Sequence, residues 1–147
     1  MGGFFGIGVW HAKTSHNIGT LWRSANSFGA SWIFAIGARY RMQSSDTLQT
    51  PKRIPLYHYQ TFEQFYANMP YDCMLTGVEL GDRSMDIKTF SHPQRCVYLL
   101  GSEDAGLPES ILEKCHTIIR LPGEPCLNVA VAGSIVMYDR MLERNSV

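Results

Sequence analysis

Val97-Tyr-Leu-Leu-Gly-Ser-Glu-Asp-Ala-Gly-Leu107 joins four consecutive apolar residues to a loop bounded by Gly101 and Gly106. A run that is apolar at every position suits a strand covered on both faces, the usual condition of a parallel sheet, and the two glycines give the following loop backbone freedom. Ile118-Ile119-Arg120-Leu121 repeats the arrangement, with Pro122, Gly123 and Pro125 preventing regular structure before Leu127. The stretch reads as strand, loop, helix, short strand, proline-rich loop and a long helix from Leu127 to about Leu142. Two loops leave two strands and face one ligand. Ala130, Ala132, Gly133 and Ser134 lie near the start of the last helix and permit close approach of another backbone. Packing on the sheet and contact with a partner subunit both fit them.

Towards the N-terminus, Phe4 to Trp10 is apolar and glycine-spaced, as in a central strand. After the loop 11–16, Ile18 to Phe28 reads as a helix with Leu21, Ala25 and Phe28 on one face, ended by Gly29. Asn17 is a candidate N-cap and a candidate ligand, roles that are compatible, and Arg23 lies one helical turn from Gly19. Trp32 to Ile36 is a second buried strand, so strand, helix and strand make a βαβ unit with a parallel pair. Residues 37–55 are polar and read as a loop with a turn around 46–49. Tyr57 to Tyr59 reads as a short strand, and Thr61 to Asn68 as a capped helix with Phe62, Phe65 and Tyr66 facing inward. Asp72 to Gly77 is a further strand and Gly81 to Pro93 a second polar loop. Strands alternating with helices predict an α/β fold with a mainly parallel sheet flanked by helices, in a single domain over residues 1–147.

With 147 residues and 45% apolar content, one well-filled domain is expected. Thirteen basic and thirteen acidic residues balance, so the strong positive field of many RNA binders is absent from the total. Any positive face is local; Lys13, Arg23, Arg39, Arg41, Lys52 and Arg53 make the N-terminal third the basic end. Cys73, Cys96, Cys115 and Cys126 have no close pairing or metal-ligand spacing, which points to reduced thiols and no metal. Residues 1–10 lack the basic flank of a signal peptide, and no apolar run reaches membrane-spanning length, so a soluble, cytoplasmic protein without membrane contact is expected. Trp10, Trp22 and Trp32 are candidates for stacking bases, but tryptophan in or beside apolar strands is usually core, and they read as core.

Three ordered motifs carry a specific resemblance: Asn17-x-Gly19-x-x-x-Arg23, Gly101-x-Glu103-x-x-Gly106-Leu107, and Leu127-Asn-Val-Ala-Val-Ala132. Together they resemble the SpoU (TrmH-like) RNA ribose methyltransferases of the SPOUT superfamily. The resemblance implies a deep C-terminal trefoil knot, S-adenosylmethionine (SAM) as cofactor, and methylation of a ribose 2'-hydroxyl of tRNA or rRNA. A bare catalytic domain of this length resembles the small members that act on tRNA. The resemblance further implies homodimers with composite sites, in which Arg23 of one chain faces Leu127 and Asn128 of the other. Leu100, Gly101, Ile119, Leu121, Leu127 and Asn128 would contact the cofactor, Arg23, Asn17 and Asn128 would serve catalysis, and Glu103 and Gly106 would support the site.

The chemistry is compatible with these residue types. A sulfonium donor with a flat adenine needs backbone polar groups and aliphatic walls, with few ionic groups. Read alone, the loop from Gly101 to Gly106 could instead cradle a phosphate, but the glycine and lysine signatures of nucleotide loops are missing. Glu103 is a candidate general base, or a structural acceptor for loop amides or Arg23. A ribose hydroxyl is a very weak acid, and the permanently charged fork of Arg23 suits an RNA phosphate and the hydroxyl oxygen. Cys126 stands where many members of the family have serine, and a thiol donates hydrogen bonds poorly. A catalytically silent SAM- or RNA-binding scaffold of the same fold is the competing expectation.

Overall fold

The computed structural model describes residues 3–37, 53–123 and 127–145. The apolar runs become strands β1 (Phe4–Trp10), β2 (Trp32–Ile36), β3 (Leu56–Tyr59), β4 (Met74–Val78), β5 (Met85–Asp86), β6 (Arg95–Leu100) and β7 (Thr117–Arg120). Between them lie helices α1 (Ser15–Ser27), α2 (Phe62–Ala67), α3 (Glu109–Leu112) and the final α4 (Val129–Asn145). Among the described residues the strands form one seven-stranded sheet in the order β3-β2-β1-β6-β4-β7-β5, with every pairing parallel.

The glycine spacing of β1 has a steric cause. Gly6 and Gly8 pair with Trp32 and Phe34, and a Cβ at either glycine would stand 2.4 Å from the neighbouring ring. The bare backbone lets two large aromatic side chains lie across β1.

Apolar residues cover both faces of the sheet, as the continuous runs require. One core gathers Ile7, Leu21, Ala25, Tyr98, Ala130 and Val136 under α1 and α4. The other gathers Phe34, Phe65, Leu75, Leu99 and Ile111 under α2 and α3. The small residues of α4 let α1 of the same chain approach. A Cβ on Gly133 would meet Leu21 Cδ1 at 2.5 Å, and Ser134 Oγ donates to Ser24 Oγ at 2.9 Å.

Several local expectations are corrected. Thr14, not Asn17, caps α1: its hydroxyl accepts from the Asn17 amide, leaving Asn17 buried one turn inside. Tyr66 points outward at 40% exposure, because Phe62 and Phe65 fill the inner face of α2 and Tyr66 stacks on the ring of Phe62. The loop 81–93 contains β5 and a 3-10 turn over Ile87–Thr89, started by the Asp86 side chain accepting from the Lys88 amide. No described helix is long and apolar enough to cross a membrane.

The amino end of β6 holds a buried polar network. Arg140, 2% exposed, donates to the carbonyls of Pro93 and Gln94 and to the Tyr98 hydroxyl. The Asp139 carboxylate can only accept, so His92 Nε2–H donates to it at 2.7 Å, and in the neutral ring Nδ1 is then the acceptor for the Tyr98 hydroxyl at 2.6 Å. The Glu143 carboxylate accepts from the His92 amide, and Arg144 donates to the His92 carbonyl. Burial lowers the His92 pKa below its ordinary 6.5, with the Asp139 hydrogen bond and the Glu143 charge opposing. A depressed base binds fewer protons folded than unfolded, so its contribution to stability is complete above that value and is lost as pH falls through it. Thermal midpoints measured from about pH 7.5 down to ~5 should fall for the wild type and less steeply for His92→Gln. Equal slopes would show that His92 is not the group that titrates.

Candidate cofactor and substrate site

Strands β6, β4 and β7 are neighbours, so their C-terminal loops emerge side by side, at the crevice where open parallel sheets bind ligands. Val78, Glu79 and Leu80 from β4, Leu100 and residues 102–106 from β6, and Leu121, Pro122 and Gly123 from β7 enclose a cavity of about 260 Å³. Leu127, Val129 and Ala132, leading into α4, close it.

The β6 loop is folded tightly back on itself. The Gly106 amide donates to the Ser102 carbonyl at 2.9 Å, and the Ala105 amide to Ser102 Oγ at 3.1 Å. Gly106 has φ +67°, and a Cβ there would reach the Glu79 carboxylate. Glu79 clamps two loops together: Oε2 accepts from the Leu107 amide at 2.7 Å and Oε1 from the Leu80 amide at 2.9 Å. Sequence reading missed Glu79. Its partner lies 28 residues away, and the sole local signal was an acid directly after a buried strand.

Beside the cavity the three motifs meet. Asn17 donates through Nδ2 to Glu103 Oε2 and accepts through Oδ1 from Asn128 Nδ2 at 3.0 Å. Glu103 Oε1 also accepts from the Lys13 amide at 3.3 Å. Asn128 Oδ1 caps α4 by accepting from the amides of Ala130 and Val131. A carboxylate is thus held by an amide side chain of α1 and by a backbone N–H of the loop before α1.

Among the residues expected to hold cofactor, Leu100, Leu121 and Leu127 are in the cavity wall. Gly101 lies behind it in the turn, Ile119 is wholly buried within the sheet, and Asn128 faces Asn17. Arg23 is half-buried on α1, six residues or about 9 Å of helix axis beyond Asn17, and the chain does not bring it into the cavity wall. Arg39, Arg41, Lys52 and Cys126 lie outside the described residues.

The wall is more ionic than expected, since Glu79, Glu103 and Asp104 all belong to it. Lys13 sits 3.4 Å from Asp104, but both are largely exposed and the pair contributes little. Such a rim favours a cation. Among the described residues, no three His, Cys, Asp or Glu side chains could hold a metal ion. Burial raises the thiol pKa of Cys73 and Cys96, and that of Cys115 to about 11, which keeps them protonated and poor nucleophiles.

The chain matches the SpoU rRNA Methylase family over residues 5–138. It is 22% identical over 137 residues to the tRNA (guanosine(18)-2'-O)-methyltransferase of Escherichia coli (strain K12), covering 89% of this chain. It spans 60% of that relative's length. An AdoMet-bound rRNA methyltransferase from Sinorhizobium meliloti superposes with a TM-score of 0.80 at 24% identity, covering 94% of this chain and 56% of the other. A structure described as giving insight into 2-OH methylation of C/U34 on tRNA superposes with a TM-score of 0.84 at 18% identity, covering 100% of both chains.

Proposed function

The chain belongs to the SpoU rRNA Methylase family, and on that premise we propose that it transfers a methyl group from SAM to a ribose 2'-hydroxyl of RNA. tRNA is favoured over rRNA, because the E. coli relative and the full-length structural neighbour are both described by tRNA substrates. One observation carries the reading: Asn17, Glu103 and Asn128, one from each motif, are hydrogen-bonded together beside a cavity with leucine walls and an acidic rim.

The residues present fit the cofactor. Leu100, Leu121, Leu127 and Val129 offer aliphatic surface to an adenine, while Glu79, Glu103 and Asp104 suit a sulfonium. When bound, SAM supplies an electrophilic methyl carbon. The ribose oxygen would accept that methyl while the sulfur keeps the electrons of its broken carbon bond, and the hydroxyl proton would pass to solvent water. In this reading Arg23 grips the adjoining phosphate and stabilises the ribose oxygen as charge develops. Asn17, anchored by Glu103, fixes the start of α1 against the head of α4, and with it the approach of RNA to the cavity.

Arg23 is not in its own chain's cavity wall, which supports a composite working site to which a second copy brings it. Val131, Ile135, Tyr138 and Leu142 form an exposed apolar stripe along α4, spaced four, three and four residues apart, with Phe28 of α1 in ring contact with Tyr138. That stripe fits a second copy about a twofold axis. Residues 1–147 then act as one domain, working in the cytoplasm where tRNA is modified, and α4 completes a trefoil knot as the family resemblance implies.

Two measurements test the reading. SAM should bind in a calorimetric titration, and RNA from cells lacking the gene should have lost one ribose methylation; absence of SAM binding would favour the silent scaffold. For the composite site, Arg23→Ala and Leu127→Asp dimers are each expected to be inactive. After subunit exchange, a hybrid has one site with both defects and one with neither, so about half of wild-type activity returns per hybrid dimer. Persistent inactivity after verified exchange would reject shared sites.

A further inference from the structure

Strands β1, β2 and β3 end on one line, since Trp10 pairs with Ile36 and Ile36 with Tyr59. The line continues the edge on which β6 ends, because Val9 pairs with Leu100 of the cavity wall. At its centre His11 has φ +56°, a left-handed conformation that is unfavourable for a side chain with a Cβ. Its amide donates to the Ile36 carbonyl at 2.8 Å. Its ring stacks on Trp10 at 4.0 Å and 24°, and a Cβ on Gly37 would meet that ring at 2.5 Å. Trp10, expected to be core, is only half-buried.

His11 is nonetheless exposed, so core packing does not explain the strain. If the turn alone mattered, glycine would satisfy it better and the ring would have no role. Instead, a flat ring is set on an indole, notched against a glycine and held to one orientation. Two residues further on, the Lys13 amide donates to Glu103, and Thr14 caps the helix that carries Asn17 and Arg23. Oriented aromatic surface beside a ribose-modifying site is what a nucleobase stacks upon.

The geometry points to His11, backed by Trp10, as a stacking platform for a base of the RNA strand whose ribose is methylated. The inference rests on the RNA-methyltransferase reading and assigns the residue that holds the substrate next to the reacting sugar. His11→Gly removes the ring and relieves the left-handed strain, so the fold and SAM affinity should be retained. Binding and methylation of an unmodified tRNA pool should weaken by about tenfold to a hundredfold, the usual effect of deleting one stacking ring. His11→Phe restores a flat ring and should recover most of the binding. Wild-type RNA affinity in His11→Gly would overturn the platform, as would an equal loss of SAM affinity, which marks a structural role. Protein that binds RNA through His11 but methylates none supports the platform while removing the methyltransferase reading. Wild-type protein that neither binds nor methylates RNA overturns both.

Discussion

Arg23→Ala is expected to lower the turnover of RNA methylation by about a hundredfold to a thousandfold, the effect of removing one donor to a developing oxyanion. SAM affinity should stay at the wild-type value, because the cavity wall is built from the loops after β4, β6 and β7 and the start of α4, none of which contains Arg23. Alanine is the best helix former, so α1 should persist. Arg23→Lys is expected to be nearly as inactive: a compact ammonium cannot present two parallel donors to a phosphate. Single-turnover methylation with calorimetric SAM titration separates the contributions. A parallel loss of SAM affinity would place Arg23 with the cofactor, and a fully active lysine variant would show that charge alone suffices.

The second large effect is expected at Gly101. A Cβ there would stand 2.4 Å from the Gly106 carbonyl carbon, 2.6 Å from the Leu107 nitrogen and 2.7 Å from the Gly106 Cα, all backbone atoms. No rotamer change relieves such contacts, so in Gly101→Ala the loop must open, drawing the Leu107 amide away from Glu79. Forcing a methyl into packed structure costs about 1–3 kcal/mol, which predicts SAM binding weaker by roughly tenfold to a hundredfold. Glu79→Ala reaches the same loop from outside by removing both acceptors, and its affinity loss should be similar. Wild-type SAM affinity in Gly101→Ala would show that the β6 loop is not a wall of the cofactor site.

Legibility of this sequence follows the range of the interaction concerned. β1, β2, β6 and β7 were readable because a strand buried on both faces declares itself in its own residues. The ends of α2 were readable because Thr61 caps Gln64 three residues away and Asn68 closes the helix at its other end. Asn17, Glu103 and Asn128 were found through motif resemblance, and the structure joins them across separations of 86 and 111 residues. Glu79 and His92 were not found, since neither belongs to a motif itself, and the contacts that place them, with Leu107 and Asp139, span 28 and 47 residues. The start of α1 was misread because Thr14 and Asn17 are both good caps, and only the backbone shows which hydroxyl or amide is in position. β5 was hidden in a polar loop: two residues paired to β7 leave no periodicity to detect.

The position of β6 bears on how the protein comes into being. Its inner neighbours are β1 and β4, with Phe4 set against Arg95 and Met74 against Cys96. Until residue 95 has left the ribosome, the two strands that will flank it have open facing edges, and the sheet exists as two unjoined halves. Closing that gap requires contacts across some ninety residues, a topology that folds slowly and leaves strand edges open to other chains meanwhile. The nascent chain is therefore most vulnerable to aggregation midway through synthesis. Yield on overexpression should accordingly respond to slower translation or to chaperones that shield strand edges.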